Sequence, residues 1–301
     1  MNAPPAAGVP RERRSSEIRR VLVWTFVANV AVVLAKAIAG VMTGTLSVVA
    51  DAAHSSVDAL NNVLALALAR VAGRAPDERH PYGHAKFETL GALAVVAFLS
   101  ITVFELLERA ITRLITDVAE PSATPMVMVV MAGSAVVSWV IARYERRQGR
   151  ALRSELLVAD AAHTSSDVYS SIAVLVGLGF VALGFPRADA VATIIVAAVI
   201  ARAGWRILGH TVPVLVDERA APPTEISRLA REVPGVIQCV DIRSRGREGD
   251  VFVELTITVD GGMDVHTAHE VADEVERRIA RAVGARDVIA HVEPAEQGQS
   301  G

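Results

Sequence analysis

Two nonapeptides carry the chemistry of this chain: ADAAHSSVD at 50–58 and ADAAHTSSD at 159–167. Each sets an Asp, a His and a second Asp at the same spacing inside an otherwise apolar stretch, where ionisable groups are costly and mark function. On a helix, positions i and i+4 stack on one face, so His54 and Asp58 form one convergent pair and His163 and Asp167 another. Two such helices packed together would bring two imidazoles and two carboxylates to one point. That set suits tetrahedral binding of a borderline divalent cation such as zinc. The plain alternative is helix glue, polar side chains that only hydrogen-bond across a bundle; the duplication argues for metal. Asp51 and Asp160 precede the histidines by three residues. They could orient a ligand, serve as a way station for ions, or make packing hydrogen bonds. Asn61 and Asn62 extend the polar face by a turn, as pathway lining or helix glue.

The elements that must hold these residues are membrane helices. The chain has 301 residues, 52% hydrophobic and 21% charged, with mean hydropathy +0.39. That is too apolar for an ordinary soluble domain and fits a polytopic membrane protein. A span needs about 20 mostly apolar residues, and six stretches qualify: 19–42, 46–71, 86–114, 123–145, 153–183 and 187–209. The expected organisation is a cytosolic tail (1–18), a six-helix transmembrane domain (19–210), a soluble domain (211–295) and a short tail (296–301). The Pro-rich, then basic start lacks a signal-peptide cleavage site and reads as cytosolic.

Lys and Arg gather before the first span, between the second and third (Arg70, Arg74, Arg79, Lys86), and between the fourth and fifth (Arg143, Arg146, Arg147, Arg150, Arg153). The opposite connections, TDVAEPSATP and GFPRAD, are acidic or nearly neutral. The positive-inside rule then places both termini in the cytosol. Trp24, Trp139 and Trp205 fall near span ends. The one cysteine, Cys239, excludes an internal disulfide and a Cys-based zinc cluster, and reads as a small buried hydrophobe.

After the spans, 223–233 predicts a helix with Thr224 as N-cap. GVIQCVDIRSR and DVFVELTITVD predict strands separated by GREGD. A helix over 264–283, capped by Asp264, and a last strand, DVIAHVE, complete an α-β-β-α-β order. This is an α+β layer.

The paired His54/Asp58 and His163/Asp167, with HPYGHAKFE at 80–88, resemble the cation diffusion facilitators, exporters of zinc and related divalent metals. The resemblance runs from about residue 17 to about residue 294. It implies six spans followed by a cytosolic ferredoxin-like domain that dimerises, and one transport site between the second and fifth spans built from those four residues. It also implies a loop metal site at Asp77, His80 and His84, which the residues alone leave open between metal ligands and exposed loop histidines. Lys86 and Asp217 match a charge interlock between the membrane and soluble parts. In the soluble domain His269, His291 and Glu293 match metal-ligand positions. Glu254 and Val240 stand where some members have histidines; Glu254 can still bind a metal and Val240 cannot. His266 could substitute.

The expected function is secondary transport: export of a divalent cation, Zn2+ first and Co2+ or Cd2+ next, in exchange for protons. A histidine titrates near neutral pH, and metal binding requires neutral imidazole and ionised carboxylate, so metal and protons compete for one site. Harder ions, Mn2+ or Fe2+, are the alternative within the family, and a non-transporting metal-sensing helper is the alternative outside transport. An intramembrane metalloprotease would need an HExxH string, and no such string occurs. No Gly-rich nucleotide loop is present either. No catalytic cofactor and no nucleic-acid partner are implied; the expected partners are the metal, protons and a second copy of the chain. The short loops and Ala/Val/Arg-rich composition fit a bacterial inner membrane.

Overall fold

The computed structural model describes residues 11–43, 46–116, 125–182, 186–247 and 250–295. Two compact units divide the chain, one over Val9–Thr211 and one from Val212 onward. The first is all helical: α1 (Arg11–Thr43), α2 (Leu46–Ala72), α3 (Lys86–Thr116), α4 (Pro125–Ala151), α5 (Glu155–Ala182) and α6 (Pro186–Leu215). Among the described residues, four of these contain segments long and apolar enough to cross a membrane: Arg13–Ile38, Lys86–Ile115, Met128–Ala151 and Ala190–Leu215. The other two long helices, α2 and α5, carry the polar nonapeptides.

α1 begins eight residues before the expected span and α4 runs six beyond it. These additions are the charged stretches RERRSSEI and RRQGRA. Both are good helix formers, and they extend helices past the apolar thickness.

The basic end of the bundle is tied by Arg14, which donates to Glu88 at the start of α3 and to the carbonyls of Leu152 and Arg153 between α4 and α5. Ser154 caps α5, its Oγ accepting from the Leu157 N–H at 3.3 Å. Close packing fixes the direction of the helices here. A β-carbon at Gly91 of α3 would lie 2.9 Å from Leu156 Cδ1 of α5 and 3.4 Å from Leu68 Cδ1 of α2. The last turns of α2 therefore meet the first turn of α5 at one level, and the two helices run in opposite directions. Leu22, Ala92, Leu99, Leu156, Leu157, Ala197 and Ile200 fill the core between helices.

The second unit holds α7 (Pro223–Arg231), β1 (Gln238–Arg247), β2 (Asp250–Val259), α8 (Val265–Val283) and β3 (Ala285–Pro294). β1 and β2 pair antiparallel, and β3 joins β2 in parallel. The result is a three-stranded mixed sheet in an α+β layer. Val251, Val253, Leu255, Ile257 and Val259 alternate inward along β2 against Ile226 and Leu229 of α7 and Val275 and Ile279 of α8. Asp264 caps α8 as expected, accepting from the Thr267 N–H at 3.1 Å. Thr224 does not cap α7. The cap is Pro222, without a side-chain hydrogen bond, and Pro223 opens the helix. The fixed φ of a proline suits the first helical position, and its missing N–H costs nothing there.

Candidate metal centre

The loop between α2 and α3 gathers three potential ligands. Asp77, His80 and His84 each offer a ligand atom, all within 4.8 Å of one another, and among the described residues they are the one group of three or more His, Cys, Asp or Glu so placed. The chain folds this way because Asp77 organises its own turn. Its Oδ1 accepts the backbone N–H of Arg79 at 3.0 Å and of His80 at 2.7 Å. Pro81 and Gly83 then reverse the chain: the Gly83 N–H donates to the His80 carbonyl at 2.9 Å, with Gly83 at φ 85.

Hydrogen bonding orients the imidazoles. His84 is 3% exposed, and its Nδ1 lies 3.1 Å from the Ala75 carbonyl. A carbonyl only accepts, so Nδ1 carries a hydrogen, which leaves Nε2 as the nitrogen that could bind a metal. That Nε2 lies 3.3 Å from Asp77 Oδ2, and His80 Nδ1 lies 3.1 Å from Asp77 Oδ1. The His80 and His84 rings stack tilted with centroids 4.3 Å apart, and both lean on Phe87. The His80 backbone N–H holds the Asp77 carboxyl below its usual range, with help from the His80 ring and the nearby His84. Two imidazoles and an ionised carboxylate at these separations are a donor set for a transition metal.

In the membrane unit, His54, Asp58 and Asp51 lie in α2, and their side chains fall outside the described residues. On α5, Asp160 is 0% and His163 4% exposed, and Asp167 is half-buried. Asn61 and Asn62 are buried, and Asn61 Nδ2 donates to Asp160 Oδ1 at 3.4 Å, joining α2 to α5. From that bond the two nonapeptides can be placed in depth along their helix backbones. Asp58 and His54 lie three and seven residues from Asn61, as His163 and Asp167 do from Asp160, about 4.5 and 10.5 Å along the axis. The helices run oppositely, so both pairs sit on the same side of the Asn61–Asp160 bond and at the same depths.

Two residues that sequence reasoning passed over stand beside them. Lys36 of α1 donates to Ser55, the neighbour of His54 in the chain, at 3.1 Å. Glu145 of α4 is fully buried, and Thr164 Oγ1 lies 3.3 Å from its Oε2. Its signal was present but disguised, since it is one acidic letter within ARYERRQGR, a run whose arginines carry the topology.

The candidates in the C-terminal unit converge only in part: His291 Nε2 lies 3.6 Å from Glu293 Oε1 on β3, and the set as a whole does not meet. Glu254, His291 and Glu293 are exposed on β2 and β3, where Thr256 is the register partner of His291. They lie on the sheet face opposite the inward residues of β2. His269 is exposed on α8, which packs on the other face, and its nearest acidic neighbour is Asp273 at 3.8 Å. His266 faces Glu270 on the same helix. One ion cannot join all four residues within one chain, because the sheet stands between them. Asp217, at φ 53, pairs with Arg245 at 3.6 Å in its own unit. Lys86 opens α3.

Family models match both parts of the chain: the cation efflux transmembrane domain over residues 22–216 and the cation efflux protein cytoplasmic domain over 222–295. The chain belongs to the cation diffusion facilitator family. It is 31% identical to the uncharacterized transporter MJ0449 of Methanocaldococcus jannaschii, over 92% of this chain and 98% of that one. It is 31% identical to the cation-efflux pump FieF of Cronobacter sakazakii, over 92% of each. The magnetosome protein MamB of Paramagnetospirillum magneticum is 29% identical, over 90% of this chain and 93% of that one. As a cation diffusion facilitator the protein is an integral membrane transporter of divalent metal cations, not an enzyme.

Proposed function

We propose that this facilitator exports Zn2+ from the cytosol in exchange for protons, with His54, Asp58, His163 and Asp167 as transport ligands. The observation that carries the reading is the common depth of the two His/Asp pairs on antiparallel α2 and α5, beside the Asn61–Asp160 bond. Two imidazoles and two carboxylates suit zinc, cobalt or cadmium better than manganese or ferrous iron, which favour oxygen-rich sites. The same four groups bind protons when the metal leaves, so a rocking bundle can exchange one for the other across the membrane.

Six spans with both termini cytosolic, in a bacterial inner membrane, fit the arginines at one end of the bundle. The loop triad would then face the cytosol and read its metal level. Two copies would associate through the cytoplasmic unit.

The test is zinc flux in sealed proteoliposomes, with and without an imposed proton gradient, for the parent and for Asp58→Ala and His163→Ala. Gradient-driven zinc movement that both substitutions abolish supports the reading. Movement of manganese or iron but not zinc would retain the site and change the ion. If no metal moves, the protein is a sensing helper.

A further inference from the structure

Beneath the basic end of the bundle lies a polar cluster that the His/Asp pairs do not use. Asp160 of α5 and Glu145 of α4 are each 0% exposed, and Asn61 of α2 is 1% exposed. The carboxyls of Glu145 and Asp160 are within hydrogen-bonding reach of each other. Thr164 Oγ1 lies 3.3 Å from Glu145 Oε2, Thr25 of α1 also reaches Glu145, and Asn61 Nδ2 holds Asp160 Oδ1. One oxygen of each of the three side chains remains without a donor: Glu145 Oε1, Asp160 Oδ2 and Asn61 Oδ1. The two carboxyls act on each other, and His163 acts on Asp160.

Two carboxyls that face each other in a buried, low-dielectric place repel unless they share a proton or a cation sits between them. Three buried oxygens without donors, with the hydroxyls of Thr25 and Thr164 beside Glu145, are ligands of the kind a hard divalent cation takes. The depth is also informative. Glu145 is six residues from the end of α4 and Asp160 six from Ser154, about 9 Å inside the helix ends. His163 and Asp167 lie deeper along α5.

We infer that Glu145, Asp160 and Asn61 form a second intramembrane cation site, made of oxygen ligands alone, that takes a divalent metal ion on its way between the basic end of the bundle and the His/Asp pairs. Its role as a way station rests on the export reading; its capacity to bind an ion does not. Lacking nitrogen ligands, it holds zinc more weakly than the deeper site, so an ion passes inward to a tighter seat.

The experiment counts Mn2+ bound to the purified full-length protein in lipid nanodiscs, by the loss of the free-ion electron paramagnetic resonance signal. The parent carries His84→Ala to silence the loop. Glu145→Gln, nearly the same shape, is expected to bind one ion fewer per protomer. Asn61→Asp adds a carboxylate to the same cluster and is expected to tighten that ion about tenfold, since affinity follows ligand charge. A misfolded protein could not produce this gain. The extra ion is expected to persist in His163→Gln, which weakens only the deeper site. Equal stoichiometry in parent and Glu145→Gln, or no tightening in Asn61→Asp, overturns the inference. A parent that transports no metal yet loses one Mn2+ on Glu145→Gln would sink the export reading and leave this site standing.

Discussion

The Arg14 guanidinium grips the Glu88 carboxylate with both arms, Nη1 to Oε2 and Nη2 to Oε1, each at 3.1 Å. Glu88 is 2% exposed. The remaining donors of Arg14 reach the Leu152 carbonyl at 2.8 Å and the Arg153 carbonyl at 3.0 Å. One side chain thus joins α1, α3 and the α4–α5 turn at the end of the bundle nearest the oxygen cluster. Arg14→Ala removes a bidentate grip on a buried carboxylate and is expected to destabilise the bundle by about 3 kcal/mol. Glu88→Gln is expected to cost less, because the amide oxygen still accepts. Thermal unfolding of the full chain in detergent checks this, and an Arg14→Ala midpoint equal to the parent's would refute it.

The loop triad carries a pH signature. The Asp77 carboxyl is held below its usual range, chiefly by the His80 backbone N–H. Its folded value is depressed, so its hold on the turn is complete above the ordinary carboxylate range and fails only as pH falls through that lowered value. Around neutrality Asp77 therefore stays ionised and open to a metal. Asp77→Asn is expected to lower the Zn2+ affinity of the loop about tenfold or more at pH 7. Calorimetric titration decides; equal affinity for parent and Asp77→Asn would show that the carboxylate is not a ligand.

Much of this architecture was legible in the sequence because membrane helices announce themselves by length and hydropathy. α2 and α3 lie within about two residues of the expected limits, and the polar PDERHPYGHA between them ends the first and precedes the second. The duplicated nonapeptide, and Asn61 one turn beyond the first copy, exposed the polar faces of two helices. Hidden were facts that belong to packing. Glu145 reads as one member of a charged helix end until α4 is laid against α1 and α5. The C-terminal ligand candidates look like one set as letters, yet helix and strand put His269 on one side of a sheet and His291 on the other.

α8 begins on an acidic cap with a defined pH window. Asp264 accepts from the Thr267 N–H at 3.1 Å and the Thr267 hydroxyl at 2.6 Å. These bonds, the hydroxyl first, hold its carboxyl below the usual range. The cap's contribution is therefore present above the ordinary carboxylate range and is lost as pH falls through the depressed value. Asp264→Ala is expected to speed amide hydrogen exchange severalfold in the first turn of α8 at pH 7, and Asp264→Asn much less, since Asn also caps well. The gap between parent and Asp264→Ala should close only as pH falls below the ordinary carboxylate range. A gap that persists once the carboxyl is protonated would assign the effect to shape rather than charge.

The single thiol reports on the core of the cytoplasmic unit. Cys239 lies in β1 opposite Ile257 and is 6% exposed. Burial pushes its thiol up, while Arg231 pulls weakly the other way. The thiolate is the nucleophile, so the folded chain is short of both access and reactive form. At pH 8 iodoacetamide is expected to label Cys239 at least about tenfold more slowly in the native protein than in urea. The linkage sign also follows. A raised folded pKa gives stability that is complete below the unfolded thiol's pKa and is lost as pH rises through the folded value. Native labelling should therefore accelerate more steeply above pH 9 than for a free thiol, as opening of the β1–β2 pairing adds to ionisation. Mass spectrometry of the timed reaction checks both parts. Equal native and denatured rates at pH 8 would mean that β1 opens faster than the reagent reacts, and that the sheet is only marginally held.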